Sequence, residues 1–467
     1  MMRELLKGLV GLIFLVLASP GYGLEISING QFSDIELDEC ELSIHVSDTW
    51  SAFGYRQETY TLIRSGSSID SKIETFYGFG SYLVSHTFYA PGAAGTYWVQ
   101  RSGLGTTTSK RIEVSLAPGL NCEPSFETAN WGDRMWFDGR DWKSRPVIGD
   151  FDNDGFIDDI VYNGRCGTGT ACWRAHIGNG SGFSVQNFGG NMWFAGNAPT
   201  NVPVAGDFDN DGYVDDIVYW GKCGSGTDCW RVHMSDGSSF SSVANFGNGM
   251  WFQGSTPANA PVVGDFDNDE FVDDIAYWGK CGSGTDCWRV HYSNGSSFLT
   301  AGAGADMWFE GSTPVHEPVV GDFDNDGFAD DLTYWGKCGS GTDCWRLHRS
   351  TGTSFVAQGF GASMWFGGNQ SIRSTMAADL DGDGWIDDMV YFGKCGSGHP
   401  NWRQHRSTGA TFNAACSLGS PNAWFAGIDP IHTPMTGDLD HDGELDDIVY
   451  YGKCGSGTDC WRVHLWN

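Results

Sequence analysis

Asp150, Asp152, Asp154 and Asp158 occupy positions 1, 3, 5 and 9 of a short stretch whose sixth residue is Gly155 and whose seventh, Phe156, offers a backbone carbonyl. Side chains at that spacing converge only if the backbone curls around a point. Two like charges about 4 Å apart repel by roughly 4 kcal/mol at an effective dielectric near 20, so four carboxylates sharing a point need a cation between them. Oxygen donors of this kind suit a hard cation. Ca2+ is favoured over Mg2+ because the donor set is irregular and supplied almost wholly by protein, whereas Mg2+ keeps octahedral geometry and several waters. An EF-hand is excluded, since it needs a bidentate Glu at position 12, where this chain has Val161.

The elements that must hold such a loop are repeated with it. Loops of this pattern begin at Asp150, Asp207, Asp265, Asp322, Asp379 and Asp438, at spacings of 57, 58, 57, 57 and 59 residues. Around each lie the same landmarks in order: Met-Trp-Phe, Pro-Val-x-Gly before the loop, Ile-Val-Tyr after it, then Cys-Trp-Arg-Val-His and Gly-Ser-Ser-Phe, with small variations. No part of the unit keeps a 3.6-residue apolar period. Its short β-rich runs are bounded by Gly, Ser and Asp, which gives four short strands in under 60 residues. Six such units predict an all-β chain whose main body is a six-bladed β-propeller with calcium loops. A cryptic seventh blade has no room in residues 125–467.

The ends of the array predict a closed ring. After Trp461-Arg462-Val463-His464 the chain stops at Asn467 without the Ser-Phe strand that ends every other unit. The missing strand stands at the front, where Ser125-Phe126 through Trp131 aligns with Gly182-Phe183 through Phe188. The amino-terminal strand is therefore expected to complete the last blade and leave neither edge open. Residues 24–120 lack the pattern and read as alternating strands, predicting an Ig-like β-sandwich, with Ala117-Pro118-Gly119 as a linker to the propeller at 121–467.

The Asp at position 9 and the β-rich run after it resemble the FG-GAP or VCBS repeat, the calcium-loop blade of integrin-α-like propellers, over residues 125–467. Carried over by position, the resemblance implies as ligands Asp207, Asp209, Asp211 and Asp215; Asp265, Asp267, Asp269 and Asp273; Asp322, Asp324, Asp326 and Asp330; Asp379, Asp381, Asp383 and Asp387; and Asp438, Asp440, Asp442 and Asp446. About one Ca2+ per blade follows. This chain departs from that family in blade number, since integrin-type propellers have seven. Its third loop also departs, with Glu270 in place of the turn glycine.

Each unit also carries Trp-Arg-x-His: Trp173, Arg174 and His176; Trp230, Arg231 and His233; Trp288, Arg289 and His291; Trp345, Arg346 and His348; Trp402, Arg403 and His405; Trp461, Arg462 and His464. Strand alternation puts Arg and His on one face. As a ligand lane, the aromatic would stack on a sugar ring while Arg and His bond its hydroxyls. The plainer role, which is favoured, is that Trp fills the space between blades and Arg pairs with a loop carboxylate.

Five units carry Cys-x5-Cys: Cys166 and Cys172, Cys223 and Cys229, Cys281 and Cys287, Cys338 and Cys344, Cys454 and Cys460. Arg3 and Lys7 before an apolar run from Leu9 to Ala18 read as a secretory signal peptide over residues 1–23, too short to span a membrane. In an exported chain local disulfides are the expected state of these pairs. Zinc on Cys223, Cys229 and His233 is disfavoured for want of a fourth ligand. Cys395, followed by His399-Pro400-Asn401, is expected to pair with Cys416, leaving Cys40 with Cys122.

With 58 Asp and Glu against 27 Lys and Arg the net charge is −31, which excludes an ordinary nucleic-acid or anionic-membrane binder. Five aspartates in each of six loops account for 30 of those 58 acids. No catalytic constellation is present: Gly-x-Ser-x-Gly and Gly-Lys-Ser/Thr are absent, and His316-Glu317 is followed by Pro318 with no second His. If an asymmetric site exists, the irregular fifth blade with His399 is where to look. The expectation is a non-enzymatic, secreted or surface-held protein that binds carbohydrate or a glycoconjugate in a lectin-like or adhesive manner. A protein-binding module is the alternative, and an extracellular polysaccharide lyase or hydrolase is less favoured.

Overall fold

The structure is a computed structural model that describes residues 25–28, 35–37, 41–64, 67–91, 95–102, 107–108, 111–116, 126–131, 145–165, 171–189, 202–222, 228–247, 260–280, 286–303, 317–337, 343–360, 375–394, 400–416, 433–453 and 459–466. The chain divides into two units, Met1–Pro124 and Ser125–Asn467. Among the described residues both are built from strands, with no helix and hence no helix long and apolar enough to cross a membrane. The second unit is a six-bladed β-propeller. The signal segment, the Met-Trp-Phe segments, Cys395 and His399 lie outside the described residues.

Each blade is a four-stranded antiparallel sheet. In blade 1 the order from the axis outward is Val147–Gly149, Asp159–Arg165, Ala171–Ile177 and Ser184–Gly189. The innermost strands of the others are Val204–Gly206, Val262–Gly264, Val319–Gly321, Thr375–Ala378 and Met435–Gly437. They neighbour one another in chain order, and the sixth neighbours the first, so the ring closes. Blade 6 takes its outer strand from the front of the array: Phe126–Trp131 pairs with Asp459–Trp466, with Trp131 opposite Trp461 and Phe126 opposite Trp466. The expected closure is therefore present.

Both faces of each blade are covered by neighbours, which explains why the second strands read as continuous apolar runs rather than alternating ones. In blade 1 Ile160, Val161 and Tyr162 are all fully buried although successive side chains point to opposite faces. One set packs against blade 2, where Val161, Trp173 and Ala175 meet Ile217, Tyr219 and Phe240. The other set packs back on blade 6, where Ile160, Tyr162 and Phe183 meet Tyr451, Trp461 and Val463.

Each loop follows the end of an innermost strand, so all six lie at one end of the ring. They are bonded in a circle. The amide of loop position 1 donates to the carbonyl at position 8 of the next loop, Asp150 to Val214, Asp207 to Val272, Asp265 to Ala329, Asp322 to Ile386, Asp379 to Leu445 and Asp438 to Ile157, at 3.0–3.1 Å. Glycine stands just before position 1 in five of the loops, and at Gly321 the approach is close enough that a Cβ would lie 2.2 Å from the Ile386 carbonyl oxygen; loop 5 makes the same bond with Ala378 in that place. At the other end of the ring, just before the innermost strands, half-buried Arg145 of blade 1 and Glu317 of blade 4 form an ion pair at 2.7 Å. Three steps around a ring of six is a diameter, so this pair crosses the axis.

Candidate functional site

Each loop is wound around its first aspartate. Asp150 Oδ1 accepts from the amide of Asp154 and its Oδ2 from that of Gly155, both at 2.9 Å, while Asp154 Oδ1 accepts from Phe156 N at 3.1 Å. The same bonds recur in the other loops, for instance Asp207 with Asp211 and Gly212, and Asp438 with Asp442 and Gly443. Positions 4 and 6 take left-handed backbone, with Asn153 at φ 57° and Gly155 at φ 100°. Asn tolerates that region and Gly enters it without steric cost.

Winding gathers the carboxylates. Asp207, Asp209 and Asp211 place an oxygen each within 4.8 Å of one another, as do Asp265, Asp267 and Asp269; Asp322, Asp324 and Asp326; and Asp379, Asp381 and Asp383. In blade 1 the group is Asp150, Asp152 and Asp159, so the tenth position enters where the fifth does elsewhere. Position 9 is buried in every loop: Asp158, Asp215, Asp273, Asp330, Asp387 and Asp446 are at most 3% exposed. Burial first, and repulsion from neighbouring aspartates second, push Asp215 up to about 7. Burial followed by the charge of Asp447 pushes Asp446 up to about 9.

The tenth position was counted at the sequence level only for its charge, and the structure gives it work. Oδ1 of Asp159, Asp216, Asp274, Asp331, Asp388 and Asp447 accepts from the amide that follows or ends the third strand, at Gly178, Ser235, Ser293, Ser350, Ser407 and Trp466, at 2.6–2.8 Å. This clamps the loop to its own blade. The available signal was that the residue recurs in all six copies at the first position of the second strand.

Whether these residues suit a cation is tested by their unused oxygens. Oδ1 of Asp152, Asp209, Asp267, Asp324, Asp381 and Asp440 is buried without a hydrogen-bond donor, and so is Oδ2 of Asp216, Asp274, Asp331 and Asp388. A buried acceptor with no donor costs about 1–3 kcal/mol, and more when charged. Oxygens that face one another in that condition fit a hard cation and nothing apolar.

The third loop keeps the winding despite its substitution. Glu270 N still donates to Asp265 Oδ2 at 3.0 Å, but Glu270 holds φ at 79°, where a Cβ is strained. Glu270→Gly is expected to raise stability by about 1 kcal/mol by removing that strain, read as a higher midpoint in thermal unfolding. A lower midpoint would mean that the Glu270 side chain contributes more than its backbone costs.

The Trp-Arg-x-His residues occupy the spaces between blades. All six Trp and all six His are fully buried. Trp173 meets His233 of the next blade edge to face with centroids 5.4 Å apart, and the series continues through Trp230 and His291, Trp288 and His348, Trp345 and His405, Trp402 and His464, to Trp461 and His176. Each His shares a hydrogen bond of 3.0–3.3 Å between Nε2 and the hydroxyl of its blade's Tyr: Tyr162, Tyr219, Tyr277, Tyr334, Tyr391 or Tyr450. Desolvation, aided by the nearby Arg, drives each of these histidines down to about 3, so they are neutral. Arg and His do share a face, and the preceding blade's Trp fills the space in front of His. Arg174, Arg231, Arg289, Arg346 and Arg403 remain half-buried, and Arg462 is buried.

Cys172, Cys229, Cys287, Cys344 and Cys460 are buried on the third strands, and Cys166, Cys223, Cys281, Cys338 and Cys454 lie outside the described residues.

No family model matches the chain, and no curated protein matches it in sequence. Among solved structures it is similar to a puromycin-hydrolyzing peptidase of Mycobacterium tuberculosis, at 12% identity and a TM-score of 0.33, the match covering 79% of this chain and 49% of that one. The chain thus spans about half the length of that protein.

Proposed function

We propose that this chain is an exported, calcium-loaded propeller that recognises carbohydrate or a surface glycoconjugate multivalently, in a lectin-like or adhesive manner. The observation that carries the reading is sixfold recurrence: six near-equivalent blades with six wound acidic loops around one ring. Equivalent weak sites on one rigid body bind a repetitive surface with an avidity that no single site supplies. The loops are read as FG-GAP or VCBS calcium loops. Ca2+ in each would take oxygens from positions 1, 3, 5 and 9 and supply the positive charge those carboxylates need to stay ionised.

The Trp and His of the repeated lane act as scaffold in this reading, and contact with ligand falls to the half-buried arginines and the solvent-facing ends of the blades. Export and hairpin disulfides belong to the same proposal, and alkylation without reductant, followed by mass measurement, checks the thiols. An amino-terminal Ig-like sandwich is retained as an expectation from sequence alone.

A protein partner is the second reading, favoured by the aromatic seventh position of five loops, where Trp385 is 37% exposed beside the exposed Asp383. A glycan array read with and without Ca2+ separates the two. Calcium-dependent binding that weakens at least about tenfold in Arg231→Ala, with the melting midpoint held, is expected for a desolvated charged contact. Absence of glycan binding under both conditions would sink the carbohydrate reading in favour of a protein partner.

A further inference from the structure

Four of the six loop junctions around the ring are alike; at the junction of blades 6 and 1 His441 replaces Asn, with its Nε2 2.8 Å from Asp158 Oδ2, and at one junction the contact is missing. In loops 1 to 4 and 6 the fourth position carries Asn153, Asn210, Asn268, Asn325 or His441, whose side chain reaches the third-to-outer turn of the next blade. In loop 5 that position is Gly382. The seventh position is aromatic in loops 1 to 5, but in loop 6 it is Glu444. Both departures fall at the same junction, between blades 5 and 6. A Cβ on Gly382 would stand 3.2 Å from Glu444 Oε2, so the missing side chain is what leaves room for this carboxylate.

The backbone fixes the approach. Asp379 N donates to Leu445 O at 3.1 Å, which seats Glu444 beside the first aspartate of loop 5. The charges acting on Glu444 are, in order, those of Asp379, Asp442, Asp381 and Asp383. Glu444 therefore stands beside a group in which Asp379, Asp381 and Asp383 place an oxygen each within 4.8 Å of one another. A separate observation points to a ligand at this place. Asp387 is 1% exposed with an Oδ2 that has no donor; burial first, then the charges of Asp383 and Asp381, raise it, against side-chain hydrogen bonds from Ser407 and Asn325. Arg406 is the cation that acts on Asp381, and its Nη2 donates to the Leu380 carbonyl at 3.3 Å. One guanidinium does not balance three converging carboxylates with Glu444 and the buried Asp387 beside them.

We propose that Glu444 is a cation ligand lent by blade 6 to the loop of blade 5, making that loop a site shared between blades for a hard ion such as Ca2+. The proposal rests on the calcium reading of the loops and goes beyond it, since no other loop has a carboxylate at position 7. One more anionic oxygen raises affinity for a hard cation. Loop 5 is thus expected to be the tightest site of the ring and the one whose ion would draw a carboxylate from a neighbouring blade.

The chain carries its own probe. Trp385 is the seventh residue of loop 5, and its amide donates to Asp383 Oδ1 at 3.1 Å; no other loop has Trp there. Tb3+ takes the place of Ca2+ in oxygen sites, and its luminescence is excited through a nearby indole. Calcium-stripped full-length protein is titrated with Tb3+ under excitation selective for tryptophan, and Trp385→Phe identifies the part of the signal that comes from loop 5. In Glu444→Gln the Trp385-dependent signal is expected to need about tenfold more Tb3+, in line with the dependence of affinity on ligand charge. Gly382→Asn, which fills the space as the other loops do, is expected to give the same loss with Glu444 intact. An unchanged titration in both variants, with circular dichroism confirming the fold, overturns the shared site while leaving the calcium loops in place. No Tb3+ signal and no thermal response to Ca2+ in the unaltered protein overturns both.

Discussion

Deleting residues 126–131 from the otherwise intact chain is expected to abolish the cooperative unfolding transition of the propeller or lower its midpoint by more than 15 °C, roughly the effect of 5–10 kcal/mol on a unit of this size. The strand lies at a junction of three blades. Phe126 sits 4.8 Å from Trp466 of its own blade and 6.4 Å from Trp402 of blade 5, and Trp131 sits 5.3 Å from Phe183 of blade 1. Burying one such side chain is worth about 1.5–3 kcal/mol, and truncating one leaves a cavity that adds to the loss. The deletion also uncovers Trp461, removes the outer ladder along residues 461–466, and leaves His464 Nδ1 without the Thr128 hydroxyl at 2.9 Å. Deleting Leu299–Ala303, the outer strand of blade 3, is the control, because it shortens a blade without opening the ring. Equal tolerance of the two deletions, by calorimetry, would mean that closure contributes nothing.

Stripping the protein with chelator is expected to lower its melting midpoint by roughly 20 °C or more, and restoring Ca2+ to recover it. An ion held at a hundred times its dissociation constant contributes about 2.7 kcal/mol per site if the unfolded chain does not bind it, and there are several sites. The effect has a definite pH dependence. Without ion, burial raises the folded-state pKa of the position 9 and 10 aspartates, as at Asp215 to about 7 and Asp216 to about 9, from 3.8. The folded state then holds more protons than the unfolded one between those limits, so the contribution is full below 3.8 and ion-free stability falls as pH rises from there through the folded values of about 7 and 9. The six buried histidines act in the opposite sense. Their folded value near 3 lies below the ordinary 6.5, so their contribution is full above 6.5 and is lost as pH falls toward 3. A bound cation keeps the carboxylates ionised and removes the alkaline limb alone. The stabilisation by Ca2+ should therefore grow from pH 6 to pH 9, while the acid limb stays. A calcium increment that is flat across this range would show that the loops do not hold the ion through these carboxylates.

Much of the ring could be read directly because its landmarks repeat in order. The alignment of Phe126 through Trp131 with Phe183 through Phe188 located the closing strand, because both carry aromatic ends and fill the same outer place in a blade. The spacing of Asp207, Asp209 and Asp211 likewise foretold their convergence, because a turn wound on its first carboxylate allows few other outcomes. Strand alternation placed Arg231 and His233 on one face correctly. It did not say that Trp173 of the preceding blade fills that face, because which blade faces which is a property of ring packing. Asp216 was passed over as a clamp because its partner, Ser235 N, lies on another strand. Glu444 drew no notice because it matters only beside Gly382, a residue from another unit. Arg145 and Glu317 are 172 residues apart, and neither belongs to a motif.

The pair formed by Arg145 and Glu317 is sensitive to how many blades the ring holds. Tandem units this similar are easily gained or lost by unequal recombination, and two chains can trade blades while each local contact is kept. Contacts between neighbours cannot register such a change, since every junction resembles the next. A bond across the diameter can. With one unit removed between blades 1 and 4, or one added, the two residues no longer face each other, and two half-buried charges lose their partners. The pair works as a tally mark: it spans three steps around a ring of six, and a change in blade number is expected to weaken it.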